Sequence, residues 1–387
     1  MEEKVITLSD EILDSKNMLV MKLLHYFIID KKYNPIIIQG ADNEIWLENL
    51  DEDYKVIRIV TENIRNEEQY KFDVFKTKRI LKKIKKKTFS FNIKTLNIFL
   101  NIDKSIEFVQ DKALDSLRAE KEIDIKKNKL INENFSDIKE KLKYTEKGME
   151  LFAKITSDIN EHNIEDSEKA ESIFKPKYPL VTYVLVAINI LIYILPVIYG
   201  NNFNFFTKFC LYAPYVRDGE YYRLITSSFL HANILHLVCN MYVLFTLGSQ
   251  LESFIGKFKY TIVYFFSAIT ASLMSMTFLK DGISVGASGA IFGIMGAMLY
   301  FGFHYRVYLG NALKTSLIPA VVLNLILGFT IDGIDNFAHI GGLIGGVLMN
   351  IGLGVKYKTS TFEKVNGLIV SFIYLGFLVY TAFIFSR

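Results

Sequence analysis

The stretch Val285-Gly286-Ala287-Ser288-Gly289-Ala290-Ile291-Phe292-Gly293 places one serine among small residues, where a polar loop becomes a long apolar run. Ala287 and Gly289 leave the Ser288 hydroxyl accessible, and Gly286 and Gly289 allow backbone conformations closed to other residues. If a helix begins here, the Ser288 and Gly289 amides belong to its unsatisfied first turn and can donate to an anion. Helix packing is the alternative interpretation, because small residues line many interfaces between membrane helices.

The composition divides the chain into two parts. The 387 residues leave room for two or three domains. Residues 1–178 are polar and charged, whereas the rest is strongly apolar, which predicts a water-soluble front part and a membrane-embedded back part. The start, Met1-Glu2-Glu3-Lys4, is acidic and lacks the apolar core of a signal peptide, so the front part is expected in the cytoplasm. The two cysteines, Cys210 and Cys239, form neither a disulfide framework nor a metal-binding spacing.

The front part predicts a small α/β domain over residues 1–102. Its expected elements are a helix at 8–30, strands at 35–39, 44–48 and 54–60, a helix at 67–87 and a strand at 90–100. The order is faintly similar to the nuclease-like domain found ahead of some bacterial membrane proteases. No paired acidic and lysine residues support nuclease activity, so none is expected.

The front part also contains two highly charged segments. Residues 76–87 contain eight basic side chains, which fit docking on anionic lipid, nucleic-acid binding or a solvated helix face. Residues 103–178 are highly charged and poor in aromatic residues, and they predict a helical linker.

Seven membrane-spanning segments are predicted in the back part, several of them near the roughly 20 residues that cross a bilayer. They lie at about 179–199, 234–250, 258–279, 287–303, 315–331, 338–354 and 366–385. The shorter, Gly-rich segments are plausible only if neighbouring helices bury them. The expected domains are therefore a six-helix core at 179–355 and a seventh helix at 356–387.

The distribution of basic residues predicts the orientation. On the side shared with residues 1–178 are Lys175, Lys177, Lys257, Lys259, Arg306, Lys314, Lys356, Lys358 and Lys364. The opposite side holds Lys208, Arg217, Arg223, Lys280 and Arg387. The positive-inside rule then places the N-terminus in the cytoplasm and the C-terminus outside.

Polar side chains at membrane depth are costly and indicate function. Ser288 and His339 each open a predicted span, and both lie toward its external end. The small residues after His339 allow its helix to approach the serine helix closely, which would bring the imidazole to the Ser288 hydroxyl as the base of a nucleophile. Asp332 and Asp335 are expected to be solvated, so a Ser–His dyad is predicted and not a triad. Phe292, one turn after Ser288, could stack on the imidazole.

His236 and Asn240 lie four residues apart on one helix face and could donate to an oxyanion beside the Ser288 amide. A metal site is a weaker alternative, because His231 and His236 are five residues apart and no Glu follows the first His. A second alternative is that His236 and Asn240 only bridge helices.

These residues together resemble a rhomboid intramembrane serine protease. The motifs are Gly286-Ala287-Ser288-Gly289, His236 with Asn240, and Ala338-His339 with Gly342 and Gly346. Further matches are Tyr222-Arg223, His231, and Glu252 with Gly256, and together they span roughly residues 179–355. The seventh helix and front domain resemble a subset from Gram-positive bacteria.

The resemblance implies a fold and a set of roles. The fold is a multi-pass α-helical membrane protein with a six-helix core, one extra C-terminal helix and a soluble N-terminal α/β domain. Ser288 would be the nucleophile and His339 the general base, with His236 and Asn240 in the oxyanion hole. Arg223 and His231 would hold the first loop, and Glu252 would be structural.

The sequence thus predicts a serine endopeptidase of the cell membrane that cleaves transmembrane segments and needs no metal or other cofactor. Its expected partners are transmembrane substrates and membrane lipids, and no nucleic acid. One alternative is a catalytically weak rhomboid-like factor that binds membrane proteins for quality control. A channel or transporter is less well supported, since neither midplane charges nor paired broken helices are seen.

Overall fold

A computed structural model of the chain describes residues 15–41, 43–90, 92–200, 202–279 and 282–385. The chain forms two compact units, Met1–Lys169 and Ala170–Arg387. Part of the predicted first helix, residues 8–14, lies outside the described residues, as do Lys280 and Arg387 of the orientation argument.

The first unit is built on a five-stranded mixed sheet. In chain order its elements are α1 (Ser15–His25), β1 (Asn34–Ile36), β2 (Glu44–Glu48), β3 (Tyr54–Val60), α2 (Glu67–Thr88), β4 (Lys94–Phe99), β5 (Leu114–Arg118), α3 (Glu122–Lys127), α4 (Lys129–Asn134) and α5 (Ile138–Lys141). The helix α6 (Gly148–Phe174) follows. The strands lie in sequence order, with β1, β2 and β3 antiparallel and β3, β4 and β5 parallel. The crossover from β3 to β4 is α2.

Residues on alternate faces of the sheet build two cores, because successive strand side chains point to opposite sides. Ile57 and Ile59 of β3 pack in a core with α1 and with α3 to α5. Val56, on the other face, packs with Leu81 and Ile84 of α2. The unit is therefore a three-layer α/β/α arrangement.

The sheet and its core continue past the domain boundary predicted at residue 102. Leu114 and Leu117 of β5 are buried, and Ile125, Ile131 and Leu142 belong to the core that covers one face of the sheet. Residues 114–142 are thus packed elements and not a linker. The sequence did not reveal β5 because its central residues, in Leu-Asp-Ser-Leu-Arg, are polar and carry no clear alternation.

Within the described residues, the second unit contains seven long apolar helices near the positions predicted for the spans. The elements of this unit in chain order are α7 (Leu180–Ile198), α8 (Asn202–Phe209), β6 (Leu211–Tyr212), α9 (Ala213–Arg217), α10 (Arg223–Thr226), α11 (Ile234–Ile255), α12 (Lys257–Phe278), β7 (Ile283–Ser284), α13 (Ser288–His304), α14 (Arg306–Thr330), α15 (Asn336–Leu353) and α16 (Thr361–Phe385). The seven long helices are α7 and α11 to α16. Six of them, α7, α11, α12, α14, α15 and α16, have the length and composition to cross a bilayer. The fold is thus that of a multi-pass α-helical membrane protein with a soluble α/β part, as predicted.

The helix α13 is shorter than the others, with 17 residues, and it is also the best covered. Its residues from Gly289 to Met298 are all buried. A helix too short to span lipid alone is stable at membrane depth when its neighbours shield it, which agrees with the expectation for the Gly-rich segments.

The long loop before α11 is ordered by short elements. β6 pairs with β7 through Leu211 and Ser284 and through Tyr212 and Ile283. The Arg217 guanidinium donates to the Ala382 carbonyl at 3.0 Å, which ties this loop to the last helix.

A buried ion cluster connects α2 to the sheet of the first unit. The Arg58 side chain is fully buried on β3, and its Nε donates to Glu44 Oε2 at 2.7 Å while Nη1 donates to Asp73 Oδ2 at 2.8 Å. Lys76 lies 2.9 Å from the other Glu44 oxygen. Burial alone would raise the pKa of Glu44, but Arg58 and Lys76 hold it down at about 2. The cluster therefore stabilises the fold only while Glu44 is ionised.

Replacing Glu44 by Gln is expected to destabilise the first unit by about 3 kcal/mol, because a buried guanidinium loses one of its two carboxylates. The urea unfolding midpoint of the detergent-solubilised protein, followed by fluorescence of the single tryptophan Trp46, measures this. Since the pKa of Glu44 is depressed, the difference between wild type and variant should shrink as the pH falls from 4.5 toward 2.

The matched control is Glu67→Gln, which removes the same charge from an exposed ion pair with Lys71. Its effect should stay within about 1 kcal/mol. Equal midpoints for the two variants would show that the buried cluster does not stabilise this unit.

Candidate active site

Ser288 is the first residue of α13, and the preceding turn depends on a glycine. Gly286 has φ +125°, a conformation that L side chains rarely adopt. Its amide donates to the Ser227 carbonyl at 3.0 Å, and a Cβ there would lie 2.7 Å from the His236 ring. A larger residue would therefore strain the backbone and displace the imidazole beside it.

The Ser288 hydroxyl and the His339 imidazole are within hydrogen-bond distance. Ser288 Oγ lies 2.9 Å from His339 Nε2, although 51 residues separate the two in the sequence. The Phe292 ring stacks on the imidazole, with centroids 4.2 Å apart and planes 14° apart. The stacking holds the imidazole in a plane that points Nε2 at the serine.

Glycines bring the two helices together. A Cβ on Gly342 would overlap the Gly289 carbonyl oxygen of α13, and one on Gly346 would overlap the Gly293 carbonyl oxygen. On the adjacent face of α15, a Cβ on Gly345 would overlap the Thr270 hydroxyl of α12. The helix α15 therefore packs backbone to backbone against α13 and closely against α12, as the small-residue pattern predicted.

Asp335 supports the histidine helix and is not solvated as expected. Its Oδ1 accepts from the Ala338 amide at 3.0 Å, which caps α15, and its Oδ2 accepts from the Ser275 hydroxyl of α12. Asp332, by contrast, is exposed. Among the described residues His339 Nδ1 has no hydrogen-bond partner, so no carboxylate orients the ring. That Ser288 and His339 act as a dyad stays a prediction.

His236 and Asn240 face the same space from α11. The Asn240 side-chain nitrogen donates to the His236 carbonyl at 3.1 Å, and Asn233 caps this helix by accepting from the His236 amide at 2.9 Å. A cavity of about 670 Å³ joins these residues to the dyad. Its polar lining includes Ser227, Ser228, His236, Asn240, Ser288, Asn324, Asp332, Asp335 and His339. A cavity of this size, apolar over most of its lining but with several polar groups that converge on it, is typical of sites that admit a ligand.

Arg223 holds the loop that precedes the site. Its buried guanidinium donates to the carbonyls of Thr207 at 2.8 Å and Cys210 at 2.7 Å, and to the Glu220 carboxylate at 2.6 Å. These bonds connect the C-terminal end of α8 to the turn before α10.

His231 lies in the same loop, buried, with its ring 5.0 Å from that of His236 in an edge-to-face contact. Burial and the neighbouring His236 lower the pKa of His231 to about 3, so its imidazole is neutral. It can therefore support His236 by packing without placing a second positive charge next to it.

Glu252 is buried near the other end of α11, away from the cavity. Its carboxylate accepts from the amides of Val181 at 3.0 Å and Thr182 at 2.7 Å, and from the Thr182 hydroxyl at 2.8 Å. It therefore caps the start of α7 and fixes it to α11.

Two supporting residues were not identified from the sequence. Asn233 lies three residues before His236, and Asp335 lies three residues before Ala338, which is the spacing of a helix N-cap. Across the described ranges, no three His, Cys, Asp or Glu side chains come together as metal ligands would. That no metal is needed stays a prediction.

These features define a polytopic membrane protein in which a serine and a histidine are in contact at the lining of one cavity. Residues 218–356 match the family model described as the Rhomboid domain. This part of the chain therefore carries a Rhomboid domain.

The relatives extend over different parts of the chain. "Rhomboid protease GluP" of Bacillus subtilis (strain 168) is 27% identical over 364 residues, which cover 89% of this chain and 71% of the relative. "RHOMBOID-like protein 6, mitochondrial" of Arabidopsis thaliana is 41% identical over 133 residues, covering 34% and 43%. "Rhomboid-like protease 1" of Toxoplasma gondii is 33% identical over 162 residues, covering 40% and 53%. The alignment with the first relative therefore includes much of the soluble unit. The chain spans only about half of the length of the other two relatives, or less.

Replacing Gly342 by Ala is expected to destabilise the second unit by about 1–3 kcal/mol, because its methyl group would push α15 away from the α13 backbone. The thermal midpoint of the protein in detergent measures this. Gly376→Ala on α16 is the matched control, since a Cβ there has no neighbour within 4 Å. The control should be neutral or slightly stabilising, and equal losses in both variants would refute the packing argument.

Proposed function

We propose that this protein is an intramembrane serine endopeptidase that cleaves transmembrane segments of other membrane proteins with a Ser288–His339 dyad. The single observation that carries the proposal is the 2.9 Å contact between Ser288 Oγ and His339 Nε2 at the lining of the cavity. Two of the relatives named above are called proteases, which agrees with it.

In the first step, Ser288 Oγ attacks a peptide carbonyl as His339 Nε2 takes its proton. The carbonyl π electrons move to the oxygen, and the resulting oxyanion accepts hydrogen bonds from His236, Asn240 and the Ser288 amide. When the tetrahedral intermediate collapses, the C–N bond breaks and His339 returns the proton to the leaving amine. An ester between Ser288 and the N-terminal fragment of the substrate remains.

In the second step, water from the cavity attacks this ester while His339 takes a proton from it, and Ser288 leaves with that proton. The reaction uses side chains of this chain, the Ser288 amide and one water. The proposed orientation rests on the distribution of basic residues: the N-terminus is cytoplasmic, and the C-terminus lies outside the cell membrane. The substrate enters from the lipid beside α14, whose Pro319 and Gly328 ease bending of that helix.

Ser288→Ala should reduce cleavage of a model transmembrane substrate in liposomes to background, because among the described residues it is the Ser288 hydroxyl that lies within hydrogen-bond distance of His339 Nε2. Ser228→Ala is the matched control: this serine lines the same cavity, but its hydroxyl donates to the Ile225 carbonyl at 2.7 Å. Unchanged cleavage by folded Ser288→Ala protein, or loss in the control alone, would reject the assignment.

Asn240→Ala should lower kcat by roughly 10–1,000-fold with a smaller change in KM, because the variant lacks a hydrogen bond that is made only to the oxyanion of the transition state. Initial rates over a range of substrate concentrations separate the two constants. If Asn240 only bridged helices, the variant would lose thermal stability, and kcat for its folded fraction would match wild type.

A further inference from the structure

The solvent-exposed face of α2 carries two large aromatic side chains. Phe72 is 69% exposed and Phe75 is 64% exposed, although Tyr70, Leu81 and Ile84 on the opposite face are buried. Neighbouring exposed Phe side chains form an apolar patch, and such patches mark surfaces that bind a partner or a membrane. They lie within the described part of the first unit.

Basic side chains extend the same face toward the C-terminal end of α2. At 100° per residue, Arg79, Lys83 and Lys86 fall in line with Phe72 and Phe75. Lys76 and Lys78 pair with Glu44 and Asp111, which leaves them partly neutralised. Among the described residues, Arg79, Lys82, Lys83 and Lys86 form no ion pair, and all four are exposed. The surface therefore combines unpaired positive charge with uncovered aromatic area.

We propose that this face of α2, from Phe72 to Lys86, binds the surface of a bilayer rich in anionic lipid. Basic side chains attract anionic headgroups, and aromatic side chains favour the region between the headgroups and the acyl chains. Because the same chain continues into membrane-spanning helices, the first unit is covalently tethered to a bilayer. The inference is independent of the proposed peptidase reaction.

Single-stranded RNA is the competing partner, since basic and aromatic residues also bind nucleic acid. Such sites hold the strand in a positively charged groove with the bases stacked on aromatic platforms. Phe72 and Phe75 instead project from the convex side of a helix, which fits a flat, deformable surface better than a strand. The geometry of α2 therefore favours lipid.

The test uses the full chain in nanodiscs of phosphatidylcholine, to which sucrose-loaded vesicles are added and sedimented. Vesicles of phosphatidylcholine with one quarter phosphatidylglycerol should pull down the nanodiscs, whereas pure phosphatidylcholine vesicles should not. The triple variant Arg79→Gln, Lys83→Gln and Lys86→Gln should bind roughly 100-fold more weakly, at about fivefold per basic residue. Phe72→Ala with Phe75→Ala should weaken binding on the order of tenfold.

A second triple variant controls for net charge. Lys127→Gln, Lys139→Gln and Lys143→Gln remove three exposed charges of the same unit away from α2 and should leave vesicle binding within twofold of wild type. Trp46 emission reports folding, since Trp46 packs behind α2. Equal losses in both triple variants, equal binding to neutral vesicles, or binding of single-stranded RNA without binding of the anionic vesicles would overturn the proposal.

Discussion

The contact between the backbones of α13 and α15 is the constraint on which the site depends. A Cβ on Gly342 or Gly346 of α15 would overlap the Gly289 or Gly293 carbonyl of α13, so no methyl group fits between the two backbones. A Cβ on Gly289 or Gly293 would instead overlap α12. The close approach of α13 and α15 is what lets Ser288 and His339, at neighbouring ends of the two helices, reach each other at 2.9 Å. Packing through small residues is how membrane helices associate where burial of apolar area gives little advantage. In this protein the packing interaction and the proposed chemistry are therefore one feature of the fold.

The surrounding structure keeps this contact at membrane depth beside a cavity that can hold water. The helix α13 is too short to span a bilayer alone and is enclosed by its neighbours, while the cavity of about 670 Å³ opens at its first residue. Asn233 and Asp335 cap the helices that carry His236 and His339, so each candidate group projects from a fixed helix end. Arg223 fastens the preceding loop through two backbone carbonyls and one carboxylate.

Much of this architecture could be predicted from the sequence, for reasons that differ between its parts. The spans were predictable because long apolar runs have few alternatives to a membrane helix, and the pairing of Ser288 with His339 because small-xxx-small patterns specify close approach. β2 and β3 were predictable from β-branched residues between turns. β5 was not, since a strand of mixed polarity owes its place to its neighbour β4. The role of Asp335 could not be predicted, because its partner Ser275 lies 60 residues away in the chain.

The central claim is that His339 activates Ser288. It is tested most directly by the rate at which an alkyl fluorophosphonate modifies the protein in detergent, with the adduct located by mass spectrometry. We predict one adduct, on Ser288, formed at a rate that falls by about 10²–10⁴-fold in His339→Ala protein of unchanged thermal midpoint. An adduct on another residue, or an unchanged rate without the imidazole, would contradict the account.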